Sequence, residues 1–190
     1  MSFFRSLSIR KKILLIPLVG LFGFGLYLFI SISASMEAVE NLEYAQKVEF
    51  PVLQVSERSI FRLEKIKETL SYAASSGDAD VLNSSKALAQ EMTQALDKAA
   101  VLSSNDRSQL NEIKQAFNTY FSDAFNLSEA MVSGSIDFST LGGRSQNMAS
   151  KLANTENLLS AVKDKKNEDF SNAFNPVSYT HLTLPTTPYV

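Results

Sequence analysis

Apolar residues recur with heptad-like spacing through nearly all of residues 48–175, stepping by alternate threes and fours. That period places them on one face of a helix rather than on alternate sides of a strand. The first seam is Val52, Ser56, Ser59, Leu63, Ile66, Leu70 and Ala73. It stops at Ser75-Ser76-Gly77-Asp78, where glycine suits a helix C-terminus and aspartate an N-cap. The second seam is Val81, Ser85, Leu88, Met92, Ala95, Ala99 and Leu102. A polar turn, Ser103-Ser104-Asn105, follows, and Ser103-x-x-Asp106 has the form of a weak capping box. The third seam is Leu110, Ile113, Phe117, Tyr120, Ala124, Leu127 and Met131, ended by Gly134. The fourth is Leu141, Ser145, Met148, Leu152, Thr155, Leu159 and Val162, extended by Phe170 and Phe174. Gly142-Gly143 predicts an irregular first turn there, since glycine costs about 1 kcal/mol against alanine inside a helix. Pro51 removes a backbone donor and predicts a kink, leaving Met36 to Glu49 as an arm continuous with the helix before it. No run alternates with a strand's period. The fold class expected is all-α, with short connections that favour an antiparallel up-down-up-down four-helix bundle.

Ahead of these seams lies a different pattern. Ile13 to Ser33 is charge-free, and Arg10-Lys11-Lys12 sits directly before it. At about 1.5 Å per residue one such helix crosses a bilayer core of about 30 Å. Tyr27 and Phe29 suit the bilayer's outer depth, and Pro17 and the three glycines are tolerated in a span. The cations Arg5, Arg10, Lys11 and Lys12 precede the span, while the first charges after it are Glu37, Glu40 and Glu43. This asymmetry predicts a cytoplasmic segment 1–12, a membrane span 13–33 and an exported domain 34–175. The competing reading is a cleaved signal peptide, for which Ser33-Ala34-Ser35 offers small residues. A signal's apolar stretch is usually about 7–15 residues, shorter than this one.

Charge and composition narrow the chemistry. From Ala34 to Asn175 there are 14 basic and 20 acidic residues, a net charge of −6. Such a domain has no electrostatic footprint for nucleic acid. The chain has no cysteine, and its single histidine is His181. That residue lies in 176–190, an uncharged Pro/Thr-rich stretch unlike everything before it. Val177 to Thr187 resembles the translation of a sequencing adapter, so 176–190 reads as a non-native tail outside the functional argument. Without histidine or cysteine, Cys-His and Ser-His-Asp nucleophiles and His-bearing metal sites are excluded. Asp78/Asp80 and Glu37/Glu40 read as a cap and a solvated face, and Asp78-x-Asp80 lacks the rest of a calcium loop. No catalytic residue, metal site or cofactor is expected.

Arg58, Arg62 and Lys65 recur at i, i+4 and i+7 and share one face of the first seam's helix, beside the core positions. The plain reading is a salt-bridged surface, with Glu57, Glu64 and Glu68 within reach. Tyr120 and Phe121 read first as core aromatics. The small residues of the first two seams fit either close helix approach or a polar cavity.

The start Leu7-Ser-Ile-Arg-Lys-Lys-Ile-Leu14, the stretch Phe50-Pro-Val-Leu-Gln-Val-Ser-Glu-Arg58 and Lys65-Ile-Lys-Glu-Thr-Leu70 resemble the sensory half of bacterial methyl-accepting chemotaxis proteins. The resemblance covers residues 1–175. It implies a ligand-sensing input domain in the periplasm, anchored in the inner membrane through Ile13–Ser33, that passes effector binding inward by helix displacement. It also implies a homodimer, a small-molecule or binding-protein effector, and a second span, a HAMP linker and a cytoplasmic hairpin beyond Asn175. Receptors of this kind bind small acids through arginines on the first bundle helix near the dimer interface. Arg58, Arg62 and Lys65 are therefore the ligand contacts that the resemblance implies. The same module serves membrane histidine kinases and diguanylate cyclases, which is the alternative function. An anchored structural or adhesion bundle without output is a third.

Overall fold

The computed structural model describes the backbone of residues 9–182 and the side chains of residues 14–174, Ile16 excepted. All regular structure in it is helical: α1 (Ile9–Tyr44), a π-helical turn (Ala45–Glu49), α2 (Phe50–Ser76), α3 (Ala79–Leu102), α4 (Arg107–Val132) and α5 (Phe138–Leu182). The chain divides into two units, residues 1–43 with 176–190, and Tyr44–Asn175. The segments 1–8 and 183–190 lie outside the described residues. So do the side chains on which the reading of Arg5, Arg10, Lys11, Lys12 and of the 176–190 tail rests.

In the first unit α1 is long and apolar enough to cross a membrane, and its apolar window buries nothing. Every side chain from Pro17 to Glu37 is exposed. Pro17 sits inside the helix.

The second unit holds one core, shared by α2, α3, α4 and α5. All seven residues of the first predicted seam are buried. The third seam is buried from Leu110 to Leu127 and emerges at Met131. Each fully buried leucine, isoleucine or phenylalanine contributes about 1.5–3 kcal/mol of transfer free energy, so two intact seams anchor the unit. The turns form where the polar residues stand. Gly77 closes α2 at φ +72°, a left-handed backbone that favours glycine, and donates its N–H to the Ala73 carbonyl over 2.9 Å. The Asp78 carboxylate then caps α3, accepting from the Asp80 and Val81 amides at 2.9 and 3.0 Å. Gly134, at φ +69°, follows the end of α4.

Two expectations need correction, and the irregularity expected at Pro51 falls in the turn before it. The second seam is rotated: α3 buries Leu82, Ser85, Ala89, Met92, Leu96 and Ala99, while Val81, Leu88 and Ala95 are only partly buried and Leu102 is exposed. Both stripes share Ser85, Met92 and Ala99, and the core takes the stripe carrying Leu82 and Leu96. Gly142-Gly143 lie in regular helix. The start of α5 is set upstream, where Asp137 Oδ1 accepts from the Ser139 amide at 2.9 Å. Pro51 stands in the first turn of α2, where a missing N–H is tolerated. The backbone irregularity is the π turn before it, closed by the Phe50 amide donating to the Ala45 carbonyl. A proline at 51 denies the Lys47 carbonyl its usual partner, and the wider turn accommodates that loss.

Candidate functional site

The fourth seam does not stop at Val162. Its next step is Lys166, which is 2 % exposed. One step before Val52 is Glu49, and one step before Leu110 is Asp106, both buried. Ser103, at the end of α3, is buried with them. Each of three apolar stripes thus runs into one charged residue, and the three meet. Lys166 Nζ lies 2.6 Å from Glu49 Oε2, 2.7 Å from Asp106 Oδ2 and 3.1 Å from Asp169 Oδ2. The Ser103 hydroxyl donates to Asp106 Oδ2 at 2.6 Å, and the Asp106 amide donates to Ser103 Oγ at 3.3 Å. Half of the expected capping box forms, but its carboxylate serves the lysine. Lys165 donates to Asp106 Oδ1 at 3.2 Å. Glu49 Oε2 touches the ammonium without hydrogen-bond alignment and has no other partner. Phe170 packs in tilted contacts against Phe50 at 5.5 Å and Phe174 at 4.8 Å.

Burial pushes the Asp106 carboxyl up, but hydrogen bonds from Lys166, Ser103 and Lys165 outweigh it and hold it below the usual carboxylate range. Burial lowers the Lys166 ammonium, and contacts with Asp106, Glu49 and Asp169 outweigh that, so it stays protonated above the usual lysine range. Asp106 therefore contributes stability that is present above about pH 3.9, its unfolded value, and is lost as pH falls through its folded one. Lys166 contributes stability that is present below about pH 10.4 and is lost as pH rises through its higher folded value. The melting temperature is expected to be flat between about pH 5 and 9 and to fall below about pH 4, with a shallower acid limb in Asp106→Asn. An acid limb equally steep in the variant would remove Asp106 from this role.

The implied ligand contacts lie elsewhere. Arg58 is exposed on α2, and no ion pair to it forms among the described residues. Arg62 Nε faces Glu91 of α3 at 3.6 Å, and Lys65 pairs with Glu68 at 3.5 Å. The three share one face of α2, and two of them meet carboxylates at its surface. Exposed pairs of this kind contribute about 0–1 kcal/mol each.

A second feature lies between α2, α4 and α5. A groove of about 640 Å³ is lined by Leu70 and Ala74 of α2, Tyr120 and Leu127 of α4, and Leu141 and Met148 of α5, among others. The fourth-seam residues Leu141, Ser145 and Met148 line it and are only half-buried. Tyr120 is 2 % exposed, and no hydrogen bond to its hydroxyl forms among the described residues. The unpartnered side-chain atoms that are sealed from solvent are Glu49 Oε2 and Ser59 Oγ, so the Tyr120 hydroxyl retains access to open space. Burial, reinforced by Glu156 and Glu64, pushes that hydroxyl up to about 12, and it is neutral at physiological pH. Phe121 packs on Phe117 and Phe125 at 5.9 and 5.8 Å. Among the described residues no group of three or more His, Asp and Glu side chains is placed to hold a metal ion.

No protein family, characterised protein or solved structure matches the chain.

Proposed function

We propose that the chain is the sensory input domain of a transmembrane receptor of chemoreceptor type. In this reading Ile13–Ser33 is an uncleaved anchor in the inner membrane, and α2 to α5 form an antiparallel up-down-up-down bundle in the periplasm. The observation that carries the reading is the contrast within one chain. Residues 17–33 expose an uninterrupted apolar surface, while residues 44–175 bury a shared helical core. Large apolar side chains held against water cost about 25 cal/mol per Å², and a bilayer removes that cost. A homodimer is expected by resemblance to the chemoreceptors.

Signalling in this reading is an axial shift of α5 against α2 by about 1–2 Å. The Lys166 layer bears on that shift, because it ties α5 to the π turn and to the start of α4. A shift must re-pair its charges, which favours two discrete arrangements over a continuous slide. An effector acts only through unequal affinity for the two. The test is a chimera of residues 1–175 joined to the cytoplasmic half of an established chemoreceptor. Effector-dependent control of the kinase supports the reading, and a chimera that inserts, folds and never responds across a broad effector set argues against it.

A further inference from the structure

The outer face of α2 carries large apolar side chains that the core does not take in. Phe50, Phe61 and Tyr72 stand at every eleventh position, close to three turns of about 3.6 residues each, so they form one straight row. The row lies opposite the buried seam and is 40, 74 and 61 % exposed, although Phe50 also packs on Phe170. Apolar side chains scattered singly over a surface are ordinary, whereas a row in register along one helix has the pattern of a covered face.

Charge decides what covers it. At about 100° per residue, Arg58 and Lys65 fall on one flank of the row, and Glu57, Glu64 and Glu68 fall on the other. All five are exposed. Two ion pairs made by these residues stay within α2: Lys65 meets Glu68 at 3.5 Å, and Glu64 meets Lys67 at 2.6 Å. A helix face with one basic and one acidic flank complements a copy of itself in one order alone. When two such helices lie parallel about a two-fold axis running along them, each basic flank meets the acidic flank of the other. Each residue then also meets its counterpart at the same height. Arg58 comes level with the partner's Glu57, and Lys65 with the partner's Glu64. An antiparallel pair sets basic against basic and acidic against acidic. Such charges select partner and register more than they add affinity, and like charges set against each other are penalised.

We propose that α2 is the surface on which two copies of this chain pair, parallel and in register, with Phe61 and Tyr72 each meeting its counterpart across the two-fold axis. The aromatic row supplies the apolar contact, and the flanks set its direction. Arg58 and Lys65 are then contacts to the partner rather than to a small acid. The inference deepens the sensory reading by naming the surface that makes its homodimer. It rests on that reading only for the common membrane, in which two chains anchored by the same end run parallel.

The cysteine-free chain allows disulfide cross-linking of single cysteines without background. Membranes carrying the full chain are oxidised with copper phenanthroline, and dimers are followed on non-reducing gels. Phe61→Cys and Tyr72→Cys are each expected to cross-link at least about tenfold faster than Val101→Cys, an exposed position on α3, because pairing on α2 raises the local thiol concentration. Adding Arg58→Glu with Lys65→Glu sets acid against acid and is expected to slow Phe61→Cys about tenfold. Adding Glu57→Lys with Glu64→Lys to that variant exchanges the two flanks and is expected to restore the rate. Either cysteine cross-linking no faster than Val101→Cys overturns the proposal, and a slow Tyr72→Cys beside a fast Phe61→Cys is the mark of an antiparallel pair. A rate that the first charge exchange leaves unchanged, or that the second fails to restore in a folded protein, overturns it equally. Fast cross-linking with an unresponsive chimera would keep this surface and remove the sensory reading, whereas a responsive chimera without cross-linking would do the reverse.

Discussion

Replacing Lys166 with methionine is expected to destabilise the 44–175 unit by about 3–5 kcal/mol, because removing one partner of a buried ion cluster strands the others. Glu49 and Asp106 would be left without the ammonium that now sits 2.6 and 2.7 Å away, and both are buried. Methionine fits the space, so the loss reports charge rather than volume. Domains of this size are stable by about 5–15 kcal/mol, and the change is a large share of that. The diagnostic signature is non-additivity. Lys166→Met combined with Glu49→Gln and Asp106→Asn is expected to recover most of the loss, since a neutral layer strands no charge. Thermal unfolding followed by far-ultraviolet circular dichroism measures both. A single-variant loss below about 1 kcal/mol, or a triple variant no more stable than the single, contradicts the arrangement.

Two arginines in the middle of the apolar stretch, Phe22→Arg with Leu26→Arg, are expected to abolish membrane integration. Each charge at the centre of a span costs about 2.5–3.5 kcal/mol on insertion scales. Both positions are exposed on α1 and belong to the other unit of the chain, so the 44–175 core should fold as before. Alkaline extraction of membranes is the readout. The parent chain is expected in the membrane pellet and the variant in the supernatant or degraded. A variant that pellets as the parent does would show that this stretch is not the anchor.

Much of the helical pattern was legible because large apolar residues fixed it. Leu63, Ile66 and Leu70, like Ile113, Phe117 and Tyr120, leave no competing stripe on their helices. On α3 the choice was ambiguous, since Val81/Leu82, Leu88/Ala89 and Ala95/Leu96 offer two apolar stripes that share the same small residues. Only the partners across the core decide between them. The charged layer went unread for a different reason. Lys166, Glu49 and Asp106 look like solvated residues, and each becomes conspicuous only when its heptad is carried one step past the apolar run. The signal was present as register, not as composition. The π turn could be anticipated only as a disturbance near Pro51, because the proline removes a donor at one position while the backbone adjusts several residues earlier. The groove had no sequence signature beyond Tyr120 on a core seam, since an unfilled space depends on how α5 lies against α2 and α4.

The most direct test of the central claim is the sidedness of two single cysteines, which the cysteine-free chain allows without background. Ser84→Cys places a thiol at an exposed position on α3, and Ser6→Cys places one before the apolar stretch. A membrane-impermeant maleimide is added to cells with a permeabilised outer membrane and an intact inner one. The anchored-sensor account predicts labelling of Ser84→Cys in the membrane fraction before lysis, and of Ser6→Cys only after it. Labelling of Ser84→Cys only after lysis, or its release as a shortened soluble protein, would contradict the account.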